Sequence, residues 1–201
     1  MIGFALTSVK NDKLQRKGSN EVILSFSECI QKYGNRYNLK KKLSQGELYQ
    51  LEKGIYADKK YIPEFQIISK KYPAAVFTLN SAFYYHRLTD VIPEKYYLAT
   101  DRASTKISDS RVVQIFENGN QLELGAENIE YSGAYIYMYN KERMLIELLR
   151  YKNKLPFDYY KEILNNYRKI IDELDMQMVQ DMAMASPKSR MIMETLQLEV
   201  L

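Results

Sequence analysis

Residues 25–57 constrain the fold most, because helix, turn and strand signals follow one another there in close succession. A first helix is predicted to begin at Ser25, since Ser25 and Glu28 have the S-x-x-E spacing of a capping box, in which each side chain binds a free backbone N–H group. Apolar residues follow at helical spacing as far as Tyr33. Gly34 is typical of a helix end. These signals predict one short amphipathic helix.

A second short helix is predicted over residues 36–45, with Gly46 after it as a stop signal. Leu39 and Leu43 lie four residues apart and mark one buried side. At about 100° per residue, the opposite side carries Tyr37, Lys41 and Gln45, and its flanks carry Asn38, Lys40 and Lys42. One face of this helix is therefore apolar, and the other is basic and bears amide groups.

A β-hairpin is predicted directly after the second helix. Its strands are residues 48–51 and 55–57, and Glu52, Lys53 and Gly54 form the turn, where glycine is free to take a positive φ. Helix, turn, helix and hairpin, in that order, are typical of a winged helix-turn-helix, whose second helix enters the DNA major groove. We expect Lys53, at the tip of the wing, to meet a backbone phosphate. The alternative is a winged-helix module that contacts protein.

Charge is distributed unevenly along the chain. Residues 1–60 contain 12 Lys/Arg and 6 Asp/Glu, a net of +6, whereas residues 61–201 contain 17 and 19, a net of −2. This asymmetry favours an anionic partner for the first part, although a merely solvated basic helix face has the same composition. We therefore predict a DNA-binding domain over residues 1–60 and a second domain over residues 61–201. Residues 1–20 are expected to be a loose linker or a short helix.

After residue 60 the pattern changes to mixed α and β. The predicted fold class is α+β: an N-terminal winged helix-turn-helix followed by a larger mixed α/β domain with a helical C-terminal part. The predicted strands are residues 75–78, 96–100, 112–116, 129–131 and 135–139. The predicted helices are residues 64–71, residues 80–86 with Asn80 as the cap, two beginning at 141 and 156, and residues 176–184 and 188–198. Methionines cluster in the last two helices, where adaptable core filling and a partner-binding surface are both open.

Residue types that catalytic and metal sites need are scarce. The chain has one cysteine, Cys29, and one histidine, His86, so it can form neither an internal disulfide nor a His/Cys zinc site with about four ligands. It also lacks a glycine-rich phosphate loop, and residues 61–201 lack the D/E-x-K pattern of metal-dependent nucleases. We predict no cofactor, no metal and no enzymatic activity. The alternative is a cryptic enzyme built around His86, Glu142 and Arg143.

Membrane and export signals are also missing from the sequence. The longest uncharged run, residues 72–86, is interrupted by Pro73 and is shorter than the roughly 18 apolar residues that a spanning helix needs. Residues 1–9 are apolar but have no basic residue ahead of them and no small-residue cleavage pattern after them. We predict a cytoplasmic protein that does not contact membranes.

Three blocks of the sequence resemble AbiEi-type antitoxins, which belong to the AbiE abortive-infection, type IV toxin–antitoxin systems. Residues 81–93, SAFYYHRLTDVIP, are similar to the family block SALxLHGLTDxIP. Residues 45–56 are similar to the family's wing segment, G-x-L-x-x-x-x-x-G-x-Y, and residues 141–149, KERMLIELL, resemble PERTLIDLL. The blocks follow the family's order and spacing. Departures at Arg87, Lys141, Met144 and Glu147 are typical of a divergent branch.

This resemblance implies that the N-terminal domain binds inverted repeats of double-stranded DNA in its own promoter, which favours a dimer on the DNA. It implies that the C-terminal domain opposes a nucleotidyltransferase-like toxin without forming a stable complex with it. The family blocks place Ser81, His86, Thr89, Glu142 and Arg143 in this antitoxin domain, with no role assigned.

The predicted function is therefore that of a DNA-binding transcriptional autorepressor and type IV antitoxin. The predicted DNA contacts are Arg36, Tyr37, Asn38, Lys40, Lys41, Lys42, Gln45 and Lys53. Asn and Gln side chains can read adenine edges and Lys can read guanine, whereas the remaining cations position the protein on phosphates. The alternatives are a winged-helix protein-binding module and a stand-alone transcriptional regulator without a toxin partner.

Overall fold

The structure, a computed structural model, describes residues 22–201 and has the predicted α+β class with a helical C-terminal part. The strands are β1 (Ile23–Ser25), β2 (Tyr49–Glu52), β3 (Ile55–Ala57), β4 (Val76–Phe77), β5 (Tyr96–Asp101), β6 (Val112–Glu117), β7 (Ala126–Tyr131) and β8 (Ala134–Tyr139). The helices are α1 (Phe26–Tyr33), α2 (Arg36–Ser44), α3 (Glu64–Lys71), α4 (Leu79–Tyr85), α5 (Gly119–Leu122), α6 (Lys141–Tyr151), α7 (Phe157–Lys169), α8 (Met176–Ala185) and α9 (Ser189–Glu199). The expectation for residues 1–20 lies outside this described part.

Local signals determine both ends of α1, the first helix of the N-terminal unit. We define this unit as residues 22–57. The capping box at the start of α1 is present: the Ser25 hydroxyl accepts from the Glu28 N–H at 3.3 Å, and the Glu28 carboxylate accepts from the Ser25 N–H at 2.7 Å. Gly34 ends the helix with a φ of 87°, a left-handed conformation that glycine adopts without steric cost. The capping and stop predictions for α1 are therefore confirmed.

The two helices of the N-terminal unit pack on a three-stranded antiparallel sheet of order β1-β3-β2. Cys29, Leu39, Leu48 and Tyr56 form its small buried core. The element order of α1, α2 and the β2–β3 hairpin is the predicted one. Strand β1 was not predicted, because its three residues carry no alternating pattern by themselves and depend on pairing with β3.

A five-stranded mixed sheet of order β6-β5-β4-β8-β7 organises the C-terminal region, residues 61–201. Strands β5 and β6 run parallel, as do β4 and β8, whereas β4 with β5 and β7 with β8 are antiparallel. Helix α6 lies deep in the protein, since every residue from 143 to 149 is buried. Helices α7, α8 and α9 pack around α6 and complete the helical layer.

Helix α3 joins the two parts of the chain. Its apolar residues Phe65 and Ile68 belong to the large core, and the Phe65 ring lies 5.5 Å from that of Tyr131. The same helix contacts β1 and β3 of the N-terminal unit. Its last two residues, Lys70 and Lys71, form ion pairs with acids of that unit.

One predicted cap is wrong. Helix α4 begins at Leu79 rather than at Asn80, and its N-cap is Thr78, whose side chain makes no capping hydrogen bond. Leu79 is buried in the large core and has a φ of 42°. Because packing of Leu79 sets the start of the helix, Asn80 lies two residues after the capping position and cannot cap it. The Asn80 side-chain oxygen is buried and has no hydrogen-bond partner within the described residues.

Candidate nucleic-acid interface

Helix α2 is oriented by its cap and by its leucines. The Asn35 side chain accepts from the Asn38 N–H at 2.9 Å and so fixes the first turn of the helix. Leu39 is buried in the small core, and Leu43 packs against the same core. Because both leucines face inward, the opposite side of the helix faces solvent.

The solvent side of α2 carries exposed cations that have no ion-pair partner within the described residues. Lys40, Lys41 and Gln45 are exposed, and the Tyr37 side chain is 76% exposed. Among residues 22–201, no side chain forms an ion pair with Lys40 or Lys41. An aromatic ring, an amide and two unpaired ammonium groups on one helix face are suited to phosphates and base edges.

Three other predicted contacts have partners inside the protein. The Arg36 guanidinium lies 5.3 Å from the ring centroid of Phe26. Asn38 donates one amide N–H to the Tyr33 carbonyl at 2.9 Å, and Lys42 pairs with Glu47 at 2.5 Å. Asn38 thus helps to close the turn between the helices, and its second amide N–H and its side-chain oxygen have no hydrogen-bond partner within the described residues. Arg36 and Lys42 are restrained on the flanks of the helix.

The wing is a tight hairpin. Its turn is Lys53–Gly54, since Glu52 belongs to β2, and Gly54 has a φ of 83°. The Gly54 carbonyl accepts from the Phe26 N–H at 2.9 Å, which places the turn beside the start of α1. Lys53 is exposed at the tip, as predicted from the sequence.

The acids of the N-terminal unit are directed away from the solvent face of α2 or neutralised. Glu28 pairs with Lys70 at 2.6 Å, and Glu52 pairs with Arg111 at 2.5 Å. The hydrogen bond from Arg111 is the main cause of the lowered pKa of Glu52. Glu47 is paired with Lys42. The basic face of α2 therefore keeps its charge.

In the C-terminal region, the predicted polar residues of the first family block have structural partners. The Ser81 hydroxyl is buried and accepts from the Tyr97 N–H at 2.9 Å. Thr89 donates to Glu162 at 2.8 Å. His86 Nε2 lies 2.7 Å from the Tyr139 carbonyl oxygen, and burial lowers the pKa of His86, so the neutral ring donates to that carbonyl.

The two predicted residues of α6 point in different directions. The Glu142 carboxylate accepts from the Asp175 N–H at 3.2 Å, next to the start of α8. Arg143 is 0% exposed; its Nε donates to Glu147 at 3.0 Å, and its guanidinium lies 4.9 Å from the ring centroid of Tyr139. Both side chains fix helices in place.

A buried ion network around Arg143 was missed at the sequence level. Arg150 bridges it, with Nη1 2.9 Å from Glu147 and Nη2 2.7 Å from Glu117. Burial raises the pKa of Glu147, and the charges of Arg143 and Arg150 oppose that effect. The i, i+4 spacing of Arg143 and Glu147 was a readable signal. The contact of Arg150 with Glu117 was not, because it joins α6 to the end of β6.

A cleft of about 460 Å³ lies where two of the family blocks meet. Its lining consists of His86, Arg87, Leu88, Thr89, Asp90, Lys141, Asn166, Lys169 and Ile170. Glu162 and Glu173 contact lining residues, so the nearby charges are mixed in sign. Of the three residues of the enzyme alternative, only His86 lines this cleft.

The methionines of the last two helices mostly fill the core. Met182 is buried, and Met176, Met191 and Met193 pack against the large core, whereas Met178 and Met184 are exposed. Four of these six methionines therefore contribute to core packing, and two are exposed.

Two absences hold for residues 22–201. No group of three or more His, Cys, Asp or Glu side chains is placed to hold a metal ion. No helix combines the length and the apolar character that crossing a membrane requires.

Comparison with known proteins adds no relative. No protein-family model matches the chain, and no curated protein matches it. The side chains described above and the sequence resemblance therefore carry the functional assignment.

Proposed function

We propose that the chain is a DNA-binding transcriptional autorepressor and type IV antitoxin that counteracts a nucleotidyltransferase-like toxin. The observation that carries the DNA-binding half is the exposed face of α2, on which Lys40 and Lys41 have no ion-pair partner within the described residues. Exposed lysines that no acid of the described residues neutralises are suited to a polyanion, whose phosphates supply the missing counter-charges. An anionic partner accounts for them.

On DNA, α2 enters the major groove with its leucine side toward the small core. Tyr37, Lys41 and Gln45 then face base edges, and Lys40 faces the backbone. Lys53 at the wing tip contacts a phosphate beside the groove. An inverted-repeat operator places two copies of the chain on the DNA, one on each half-site.

The antitoxin half has a different kind of support. It derives from the resemblance of residues 81–93 and 141–149 to the AbiEi blocks, and these two blocks meet at the cleft beside His86 and Lys141. Ser81, Thr89, Glu142 and Arg143 hydrogen-bond inside the protein, and these contacts support a structural role of the block residues in this region of the fold. We expect a nucleotidyltransferase-like reading frame beside the gene.

DNA binding is tested by replacing Lys40, Lys41 and Lys42 together with Ala. We expect weaker binding to fragments of the DNA directly upstream of the gene, because contacts with phosphates are lost. Each lost contact also flattens the plot of log affinity against log salt concentration by about 0.9. Electrophoretic mobility shifts at several salt concentrations measure both quantities. The control replaces Lys95, Lys154 and Lys161, which are exposed lysines of the C-terminal region.

Equal affinity and equal salt dependence for the two triple variants would contradict the assignment of α2. A stoichiometric protein partner that survives high salt, in the absence of DNA binding, would support the protein-binding module instead. For the cryptic enzyme, the discriminating result is the cellular antitoxin phenotype of Glu142→Ala, which we expect to stay intact.

A further inference from the structure

The wing is joined to the C-terminal region by a group of five charged side chains, which we call the Arg111 ion cluster. Its members are Glu52, Glu64, Lys71, Asp109 and Arg111. Glu52 is the last residue of β2 and the direct neighbour of Lys53. The other four come from α3 and from the residues just before β6. The N-terminal unit therefore contributes one acid, and the C-terminal region contributes everything that binds it.

Arg111 binds the Glu52 carboxylate in a bidentate manner. Arg111 Nη1 lies 2.5 Å from one carboxylate oxygen of Glu52, and Nη2 lies 3.1 Å from the other. Lys71 Nζ adds a third donor at 3.0 Å. A guanidinium that meets both oxygens of a carboxylate restricts its orientation as well as its position. These contacts therefore restrict the orientation of the last residue of β2, and with it that of the turn, relative to the C-terminal region.

Arg111 is itself fixed before it reaches the wing. Its Nε lies 2.9 Å from one oxygen of Asp109, and its Nη2 lies 2.7 Å from the other. Glu64 accepts from Nη1 at 3.0 Å. The Asp109 side chain is only 8% exposed, and Lys71 binds it as well at 2.7 Å. The C-terminal region thus presents Arg111 as a preoriented donor.

This arrangement has two consequences at the wing tip. Lys53 can meet a phosphate only if the turn keeps its angle to α2. In addition, an unpaired Glu52 carboxylate beside Lys53 would repel the same phosphate, and Arg111 and Lys71 neutralise it. Both effects favour DNA when the ion cluster is intact.

We propose that Arg111 is a positioning residue for DNA binding: it holds the wing tip in place and masks the charge of Glu52, without touching the DNA. The proposal rests on the DNA-binding function proposed above. The C-terminal region would thereby contribute to operator affinity through the position of the wing, without a DNA contact by Arg111. The helix that reads the DNA and the arginine that orients the wing lie on opposite sides of the boundary between the two parts of the chain.

The test compares Arg111→Gln, Glu52→Gln and the double variant in fluorescence anisotropy with the same upstream DNA fragments. We expect Arg111→Gln to bind about fivefold more weakly, a change of about 1 kcal/mol. Glu52→Gln loosens the wing but also removes the repelling charge, so its loss is smaller. For that reason, the double variant recovers part of the affinity that Arg111→Gln loses.

A matched control and a second measurement separate this role from general loss of charge or of fold. Arg190→Gln removes an arginine whose side chain is 92% exposed and whose one ion-pair partner within residues 22–201 is Glu194 on the same helix. Hydrogen exchange of the amides of residues 49–57 should accelerate in Arg111→Gln and stay unchanged in Arg190→Gln. The same experiment reports whether the rest of the fold is intact.

The outcomes are distinct. Equal affinity of Arg111→Gln and Arg190→Gln, while the α2 triple variant has lost binding, overturns the positioning role and leaves the proposed function standing. A double variant as weak as Arg111→Gln, with unchanged exchange at residues 49–57, shows a direct phosphate contact of Arg111 and also overturns it. If the wild-type chain binds none of the fragments, both proposals fall.

Discussion

Three lysines of the N-terminal unit and one buried arginine of the C-terminal region have opposite surroundings. In the N-terminal unit, Lys40, Lys41 and Lys53 are exposed and have no side-chain partner within residues 22–201. In the C-terminal region, the side chains of Arg143 and Glu147 are 0% and 1% exposed and pair with each other, and Glu147 also pairs with Arg150. The N-terminal unit therefore has charged side chains on its surface, whereas the large core contains a buried ion pair.

The neighbours of a basic residue along its helix indicate whether it is exposed or paired inside the protein. Lys41 lies on the side of a helix opposite two leucines, and that position predicts solvent and a partner. Arg143 lies among apolar residues on every side of α6, and that position predicts an internal acid to pair with. The same charge is therefore exposed to solvent in one part of the chain and is part of a buried ion network in the other.

The largest expected effect comes from breaking the buried pair. Arg143→Ala leaves Glu147 buried, with Arg150 as its one remaining ion-pair partner among the described residues, and we expect a loss of about 3–5 kcal/mol in the free energy of unfolding. Urea denaturation measures it. Arg190→Ala, which removes an exposed pair, should cost less than about 1 kcal/mol. A similar cost for the two variants would remove the distinction between the two uses of charge.

A smaller effect compares one glycine from each part. Gly125 and Gly54 both have positive φ, but an added Cβ at Gly125 meets the Arg143 Cβ at 2.6 Å, whereas at Gly54 it meets nothing within 4 Å. We expect Gly54→Ala to cost about 1 kcal/mol from backbone conformation alone. Gly125→Ala should cost about 2–4 kcal/mol, because overpacking adds to that term. Thermal unfolding of both variants checks the order, and the reverse order would show that the large core yields more easily than its packing indicates.

The smallest effect concerns pH. Burial keeps the pKa of His86 below its ordinary value of about 6.5, so the unfolded chain binds a proton there before the folded chain does. Stability contributed by the neutral ring is therefore present above pH of about 6.5 and is lost as the pH falls toward the folded pKa. His86→Gln should lack this component. Urea denaturation of both proteins at pH 7.5 and 5 gives the free energy of unfolding that each protein loses on acidification, and the His86 component is the difference between the two losses. Equal losses would assign the pH dependence to other groups.

Much of the fold could be predicted because its signals are local. The capping box of Ser25 and Glu28, the Gly34 stop and the wing turn at Gly54 each depend on residues within a few positions of one another. The exposed face of α2 followed from the spacing of Leu39 and Leu43. For these elements, the sequence contains the whole physical cause.

The rest depends on contacts between distant residues. Arg111 and Glu52 are 59 positions apart, and Arg150 and Glu117 are 33 apart. No pattern within a short window indicates such pairs. The start of α4 was misplaced for the same reason, since the packing of Leu79 in the large core outweighed the capping preference of Asn80. Local preference is a weak guide wherever a buried side chain fixes the backbone.

Cys29 gives the N-terminal unit a chemical reporter of its own. It is the one cysteine of the chain, it is fully buried among Leu39, Leu48 and Tyr56, and burial raises the pKa of its thiol. A thiol reagent therefore labels the native chain only when this small core opens. The labelling rate, followed by mass spectrometry over increasing urea, gives the opening free energy of the N-terminal unit separately from that of the large core.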